Sequence, residues 1–353
     1  MKIGMMTFHR ANNLGANLQA FALNKYINDN IGYCEIIDFV PNNVINPNPL
    51  KRYVVGVKKM IEVASSKKTK RFLKFKKKYK KTFRTYYGDK AISAHPPKYD
   101  ILISGSDQIL NTTLSGNSKS FYLAFDKNAK KISYASSFGR TEITQEEKQN
   151  VADYLPEFAA LSAREQSGVQ IIKTYANKDA ELVLDPVFLL DADVWRGLKS
   201  QTQTPNKYIF VYSMEATDWI KSAVEKAKEE TGFEAVVVYG GGSKGISATE
   251  FSDCGPCEFL SLIDNAEMVV TNSFHGAAFS IIFQKDFILA AHSSRNARLE
   301  NILSIAKQPE KLVHELEQYE FNQKLVSGKT SSEEIKNYIE TSKEYLHKNC
   351  RTN

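Results

Sequence analysis

The chain reads as an α/β protein built from two Rossmann-like domains that face a shared cleft. Three observations predict this. Short β-branched runs alternate with amphipathic helical spacing along most of the 353 residues, the pattern of βαβ units and parallel sheets. That length exceeds what one hydrophobic core organises. The strand-like runs also end repeatedly in small polar residues, as ligand loops do at the carboxyl ends of parallel strands. Boundaries follow from the composition: residues 1–195 form an N-terminal domain, 196–330 a C-terminal domain and 331–353 a final helix.

Composition excludes several classes. Apolar residues make up 42% and charged residues 25% of the chain, values of a water-soluble globular protein. No apolar run reaches the roughly 18 residues that span a bilayer, and the start of the chain turns polar too soon for a signal peptide, so a cytoplasmic location is expected. Four cysteines do not make a disulfide framework. Cys254-Gly-Pro-Cys257 matches a thiol-redox motif in its letters, but it sits late in the chain after a loop rich in Gly and Ser, and neither Cys34 nor Cys350 completes a zinc set.

Taken in order, Lys2 to Phe8 is a first strand and Ala16 to Asn28 an amphipathic helix, joined by a polar loop, His9 to Asn17. The loop lacks Gly-x-Gly-x-x-Gly, so a dinucleotide is not implied. Glu35 to Phe39 is the next strand. From Lys51 to Arg84, fifteen basic residues face the lone acid Glu62, and the interleaved apolar residues predict one or two amphipathic helices inserted in the first domain. Without this segment the +7 chain would be net acidic. Such a surface suits anionic lipid headgroups, a solvated helical face being the plain alternative; nucleic acid would use the same charges, but no binding motif accompanies them.

Asp100 to Ser104 and Lys131 to Ala135 are further strands, ending in the Gly105–Asn111 and Ser136–Gly139 loops. Thr144 to Leu155 is a helix opened by the capping box Thr144-x-x-Glu147. Arg164 stands at a turn before the helix Glu165 to Thr174, where its guanidinium could bind carboxylate or phosphate at two points or pair locally with Glu165. After Asp185-Pro186 the pattern restarts. Tyr208 to Tyr212 and Glu234 to Tyr239 are strands separated by a helix, Asp218 to Glu230, and the second ends in a Gly240–Gly245 loop without P-loop spacing. Glu258 to Asp264 is a helix. Met268 to Thr271 is a buried strand that becomes a helix at Asn272 and Ser273, both preferred N-cap residues. This places His275 in the first helical turn, where unpartnered N–H groups and the helix dipole favour an anion. His275 would then be a proton donor or clamp, or a satisfied core histidine. Phe287 to Ala290 is the last strand, and a helix starts near Asn296.

Six of these segments occur together and in order: Asn12-x-x-Gly15-Ala16-x-Leu18-Gln19-Ala20, Gly105-Ser106-Asp107-Gln108-x-x-Asn111, Ser133 to Gly139, Ser162-x-Arg164-Glu165, Leu184-Asp185-Pro186 and Val270 to Gly276. Through them the chain resembles the polysaccharide pyruvyl transferases. The resemblance implies a GT-B-like fold, phosphoenolpyruvate as donor, a sugar hydroxyl pair as acceptor, and neither cofactor nor metal. It assigns His275 and Asp107 to the chemistry, with Asp107 either a base or a loop-shaping residue. Arg164, Ser273, Phe274 and Arg298 fall to the donor, and Asn12, Gly15, Asn17, Gln108 and Asn111 to the acceptor. Ala16 and Leu110 depart from the family, which often has Asp and Trp there. The acceptor would be a polysaccharide or a lipid-linked oligosaccharide met at the inner membrane face. The alternatives are a GT-B nucleotide-sugar glycosyltransferase and a non-catalytic polysaccharide-binding protein.

Overall fold

The computed structural model describes residues 1–45, 65–215, 217–238, 245–291, 296–314, 325–329, 333 and 335–351. The chain divides into two compact units, one made of residues 1–66, 76–189 and 338–353, the other of 67–75 and 190–337.

The first unit holds a five-stranded sheet of β1 (Lys2–Met6), β2 (Tyr33–Val40), β3 (Lys81–Tyr87), β4 (Ile101–Ser104) and β5 (Lys130–Ser133), ordered β3-β2-β1-β4-β5. Every pairing in it is parallel. Parallel strands need both faces covered, and β1, β4 and β5 are accordingly almost wholly buried. A two-stranded parallel ladder follows, β6 (Ser162–Ala163) with β7 (Glu181–Leu182). The Leu14–Asn30 helix is capped by Asn13, whose side chain accepts from Ala16 N at 2.9 Å. The Gln145–Tyr154 helix opens with the expected capping box, Thr144 and Glu147 exchanging bonds of 2.9 and 3.2 Å. The Lys336–Asn349 helix closes on this unit, with Tyr345 donating to the Ser133 carbonyl at 2.8 Å and Ser342 Oγ accepting from Leu184 N at 2.9 Å.

The second unit has a six-stranded sheet of β8 (Tyr208–Tyr212), β9 (Glu234–Val238), β10 (Thr249–Glu250), β11 (Met268–Thr271), β12 (Asp286–Ala290) and β13 (Leu312–Val313), ordered β10-β9-β8-β11-β12-β13 and again parallel throughout. β11 lies at its centre, so the helix that follows it, Phe274–Ile282, starts at the carboxyl edge of the sheet. Trp195 anchors that helix, its buried ring edge-on to Phe279 at 5.0 Å.

The basic segment turns out differently from its sequence reading. Residues 46–64, and with them the start of the segment, lie outside the described residues, as does the loop 239–244. Lys67–Lys76 is a helix as expected, but its inner face, Thr69, Phe72 and Phe75, is buried. Arg71 fixes it within the second unit, donating to the Asp253 carbonyl at 2.8 Å and pairing with the Asp253 and Glu258 carboxylates. Phe72 and Phe75 are therefore committed to the protein core rather than to lipid. Lys81 to Tyr87 is an edge strand, not a helix: its β-branched and aromatic residues, with Thr82 and Tyr86 inward, override the lysine-rich context.

The same contact accounts for Cys254-Gly-Pro-Cys257. A Cβ on Gly255 would lie 2.5 Å from Arg71 Cβ, so glycine is the residue that lets the helix dock. Pro256 starts the Pro256–Asn265 helix, and Glu258 Oε2 accepts from Gly255 N at 3.1 Å. Cys254 is buried, and burial pushes its thiol far above the ordinary range.

Candidate functional site

In the second unit, the turn from β11 into Phe274–Ile282 is held by Thr271 and Asn272. Thr271 Oγ1 donates to the Tyr212 carbonyl at 2.6 Å and accepts from Ser273 N at 3.0 Å. Asn272 Oδ1 accepts from Met214 N at 2.7 Å, tying down the loop beyond β8. Gly276 sits so close to Thr271 that a Cβ there would lie 2.2 Å from Oγ1. Its small size therefore serves strand-to-helix packing.

Ser273 has N-cap geometry but makes no side-chain cap bond. The start of the helix keeps its dipole and lacks the cap its own N-cap residue could supply. His275 lies there at 8% exposure, its ring edge-on to Phe274 at 5.3 Å. The half-buried Arg298 is in the first turn of Ala297–Ile305, a helix that packs against Phe274–Ile282. His275 and Arg298 thus open neighbouring helices after the adjacent strands β11 and β12.

In the first unit, the loops beyond β4, β5 and β6 interlock. Ser133 and Ser162 exchange side-chain bonds with each other's carbonyls at 3.0 Å. Ser136 Oγ donates to the Ser104 carbonyl at 3.1 Å, and Asn111 Nδ2 to Phe138 O at 3.2 Å. Asp107 and Ala135 adopt φ of +76° and +52°, conformations that cost non-glycine residues about 1–3 kcal/mol and persist where surroundings over-determine them.

Arg164 is sequence-predicted for the donor, but its side chain is 1% exposed and enclosed by acids. Asp185 pairs with it at 2.7 Å, Asp107 at 3.4 Å and Glu165 at 3.6 Å. Burial alone would lower the guanidinium, but these carboxylates outweigh it and hold the group more firmly protonated than usual. The guanidinium is thus held among three carboxylates, and through Asp185 and Asp107 it braces the Asp107 loop. Asp107 itself keeps 14% side-chain exposure, and its Oδ1 accepts from Gln108 N at 2.9 Å.

The acceptor candidates separate in the same way. Asn17 is fully buried, donating to the carbonyls of Ala11 and Asn13 at 2.7 Å. Gly15 is buried within its helix, Gln108 packs beneath Gly139, and Asn111 caps Thr112–Ser115. All four are buried. Asn12 is exposed and accepts from Lys76 Nζ at 3.1 Å. The sequence analysis did not single out His9 and Arg10 of the same loop, nor Asp38 and Lys81 that meet them, although the dipeptide His9-Arg10 directly beyond a strand was a visible signal. Among the described residues, no group of three or more His, Cys, Asp or Glu is placed to hold a metal ion.

Solved structures with the same fold are distant in sequence. UGT89C1 from Arabidopsis thaliana, complexed with UDP-L-rhamnose, matches with a TM-score of 0.53 at 10% identity over 99% of both chains. UDP-GlcNAc 2-epimerase from Neisseria meningitidis, bound to UDP-GlcNAc, matches with 0.51 at 11% identity, over 100% of this chain and 95% of that one. These likenesses show a GT-B-like fold. No curated protein matches the sequence. A family model described as polysaccharide pyruvyl transferase matches residues 13–294, a span that takes in the interlocked loops of the first unit and the His275 turn of the second. The chain belongs to the polysaccharide pyruvyl transferase family.

Proposed function

We propose that the protein transfers the pyruvyl group of phosphoenolpyruvate to a pair of sugar hydroxyls on a polysaccharide or lipid-linked oligosaccharide, forming a pyruvate ketal and releasing phosphate. The observation that carries this reading is His275 in the first turn of a helix whose N-cap serine makes no cap bond, beside the helix opened by Arg298. An anionic donor is stabilised at such a place by the helix dipole and by charge-assisted bonds of about 1.5–3 kcal/mol each.

The chemistry asks for a proton on the donor's methylene carbon, giving an oxocarbenium-like centre that the first hydroxyl attacks. The second hydroxyl then displaces phosphate and closes the ketal. Of the two hydroxyl protons, one is made good in the new methyl group and the other leaves with phosphate. His275 is assigned the proton donation or the donor clamp, with Arg298 and the backbone at Ser273 and Phe274 on the donor's charges. Asp107 is assigned the hydroxyl proton, with Arg164 positioning it. Asn12 is the acceptor candidate that reaches the surface.

The protein is proposed to work in the cytoplasm, at the inner face of an anionic membrane. Lys67, Lys70, Lys74, Lys77 and Lys78 are exposed, and Phe83 on the β3 edge is fully exposed. Charge and one aromatic anchor support reversible residence. Among the described residues no helix is long and apolar enough to cross a membrane.

Purified protein given phosphoenolpyruvate and synthetic or lipid-linked galactosides should release phosphate only when both substrates are present. His275→Ala should lower turnover by about 10²–10⁴-fold, the usual contribution of a general acid or base. Wild-type turnover in a folded His275→Ala protein would sink the assignment. A UDP-sugar that replaced phosphoenolpyruvate would favour the glycosyltransferase alternative, and binding of saccharide without turnover of any donor the non-catalytic one.

A further inference from the structure

Beyond the carboxyl end of β1, one carboxylate is surrounded by more cations than it can neutralise. The Asp38 side chain is 3% exposed and accepts from His9 Nε2 at 2.9 Å, Lys81 Nζ at 3.1 Å, Thr85 Oγ1 at 2.8 Å and Arg10 Nη1. Burial alone would raise this carboxyl, but the bonds from His9 and Arg10 outweigh it and hold the group far below the usual carboxylate range. The other ring nitrogen of His9 lies 3.1 Å from the Thr7 carbonyl. Both nitrogens therefore face acceptors. Lys76 Nζ adds a further charge, donating to the Arg10 carbonyl at 2.6 Å.

The buried Asp38 is thus the back wall of a cationic cluster. In front of it, the side chains of Arg10 and Lys81 are 38% and 46% exposed, so their outer N–H groups reach solvent. A salt bridge that only pinned the loop would need one cation. The additional like charges repel each other, and a ligand with two or more negative charges would relieve that repulsion. A guanidinium fork beside two ammonium point charges is also the donor set that suits phosphate oxygens.

We infer that Arg10, Lys76 and Lys81, backed by Asp38 and His9, bind the diphosphate of an acceptor whose saccharide is linked through diphosphate. The identity of that acceptor rests on the proposed transfer; the diphosphate site does not. A polyprenyl chain or a nucleoside could carry the same group, and the test separates the two.

Inorganic pyrophosphate is titrated into the full-length protein at low salt by calorimetry. Arg10→Gln and Lys81→Gln, each checked by thermal melting, should weaken binding at least tenfold. His275→Ala should stay within twofold of wild type, which sets this site apart from the donor site. No binding by the wild type, or binding within twofold of wild type in both cluster variants, overturns the inference. In steady-state assays, a saccharide on polyprenyl diphosphate or on a nucleoside diphosphate should show a KM at least tenfold below its methyl glycoside, and Arg10→Gln should abolish the difference. Whichever carrier shows the advantage is the source; the absence of any advantage also counts against the inference. If the wild type turns over none of these acceptors, the transferase reading fails and the pyrophosphate titration still decides the site.

Discussion

Gly276→Ala tests how the His275 turn is built. In most helices the change would help, since alanine is favoured over glycine by about 1 kcal/mol in a helix interior. Here the new Cβ would lie 2.2 Å from Thr271 Oγ1, 2.9 Å from Thr271 Cβ and 3.1 Å from Thr271 Cγ2. Thr271 is fully buried in the central strand β11, and its hydroxyl links the Tyr212 carbonyl to Ser273 N. The methyl group can enter only by displacing Thr271 or the start of the helix. Overpacking of this kind costs about 1–3 kcal/mol, and loss of one hydroxyl bond adds about 1 kcal/mol. Against the gain in propensity, the net expectation is a loss of about 1–3 kcal/mol.

Urea unfolding measures that loss directly. Turnover should fall further than stability alone explains, because His275 is the preceding residue and a shift of about 1 Å in a reacting group can cost on the order of 10²-fold. Thr271→Ala in the Gly276→Ala background removes the 2.2 and 3.1 Å contacts and leaves only Cβ at 2.9 Å, so the double variant should be more stable than the sum of the single losses by about 1 kcal/mol. A Gly276→Ala protein as stable as wild type, or single losses that simply add, would refute the packing argument.

Three further outcomes are expected. Arg164→Met leaves Asp107, Asp185 and Glu165 without their buried counter-charge and should cost about 3–5 kcal/mol; an unchanged thermal melt would show that the guanidinium is not their partner. Asp38 and Glu147 are buried, which by itself would raise both carboxyls, yet hydrogen bonds and cations hold them below the usual range. Their folded values lie below their unfolded ones, so their stabilisation is full above about pH 4–5 and is lost as pH falls further toward the folded values; urea midpoints that rose on acidification from pH 5 to pH 3 would contradict this. Phe83→Ser should reduce flotation with anionic vesicles at low salt and leave the melt unchanged, whereas failure of the wild type to float would make the exposed lysines a solvated face.

The parts legible in the sequence were those whose cause is local. The strand-to-helix change at Met268–Phe283 follows from a β-branched run meeting two N-cap residues, and the Thr144–Glu147 box lies within one helical turn. Less legible were pairings made by strand register. Asp38 meets His9 and Arg10 because β1 and β2 run parallel, with Lys2 opposite Tyr33; nothing in the loop sequence marks that partner. Arg164 is a similar case. Its position at a turn suggested a ligand, but Asp185 and Asp107, 21 and 57 residues away, were already aimed at it.

Resemblance at strand ends therefore mixes two kinds of residue. Ser133, Ser136, Ser162, Asn111 and Asp185 are buried, and they satisfy backbone groups or charges where the chain turns, including turns held at positive φ. Such side chains fix the loops, and replacing one leaves a buried polar partner unmatched at about 1–3 kcal/mol. Arg10 and Asn12 in the loop after β1, and Lys81 at the start of β3, keep exposed side chains, and Asp107 is part-exposed. For these residues the physical expectation is inverted: small effects on unfolding and large effects on binding. The contrast follows from burial, since an exposed group keeps water as its alternative partner in both folded and unfolded chains. Burial thus divides the two sets: Arg164 is enclosed by carboxylates, whereas Arg10 and Lys81, outside every motif, keep side-chain surface for a ligand.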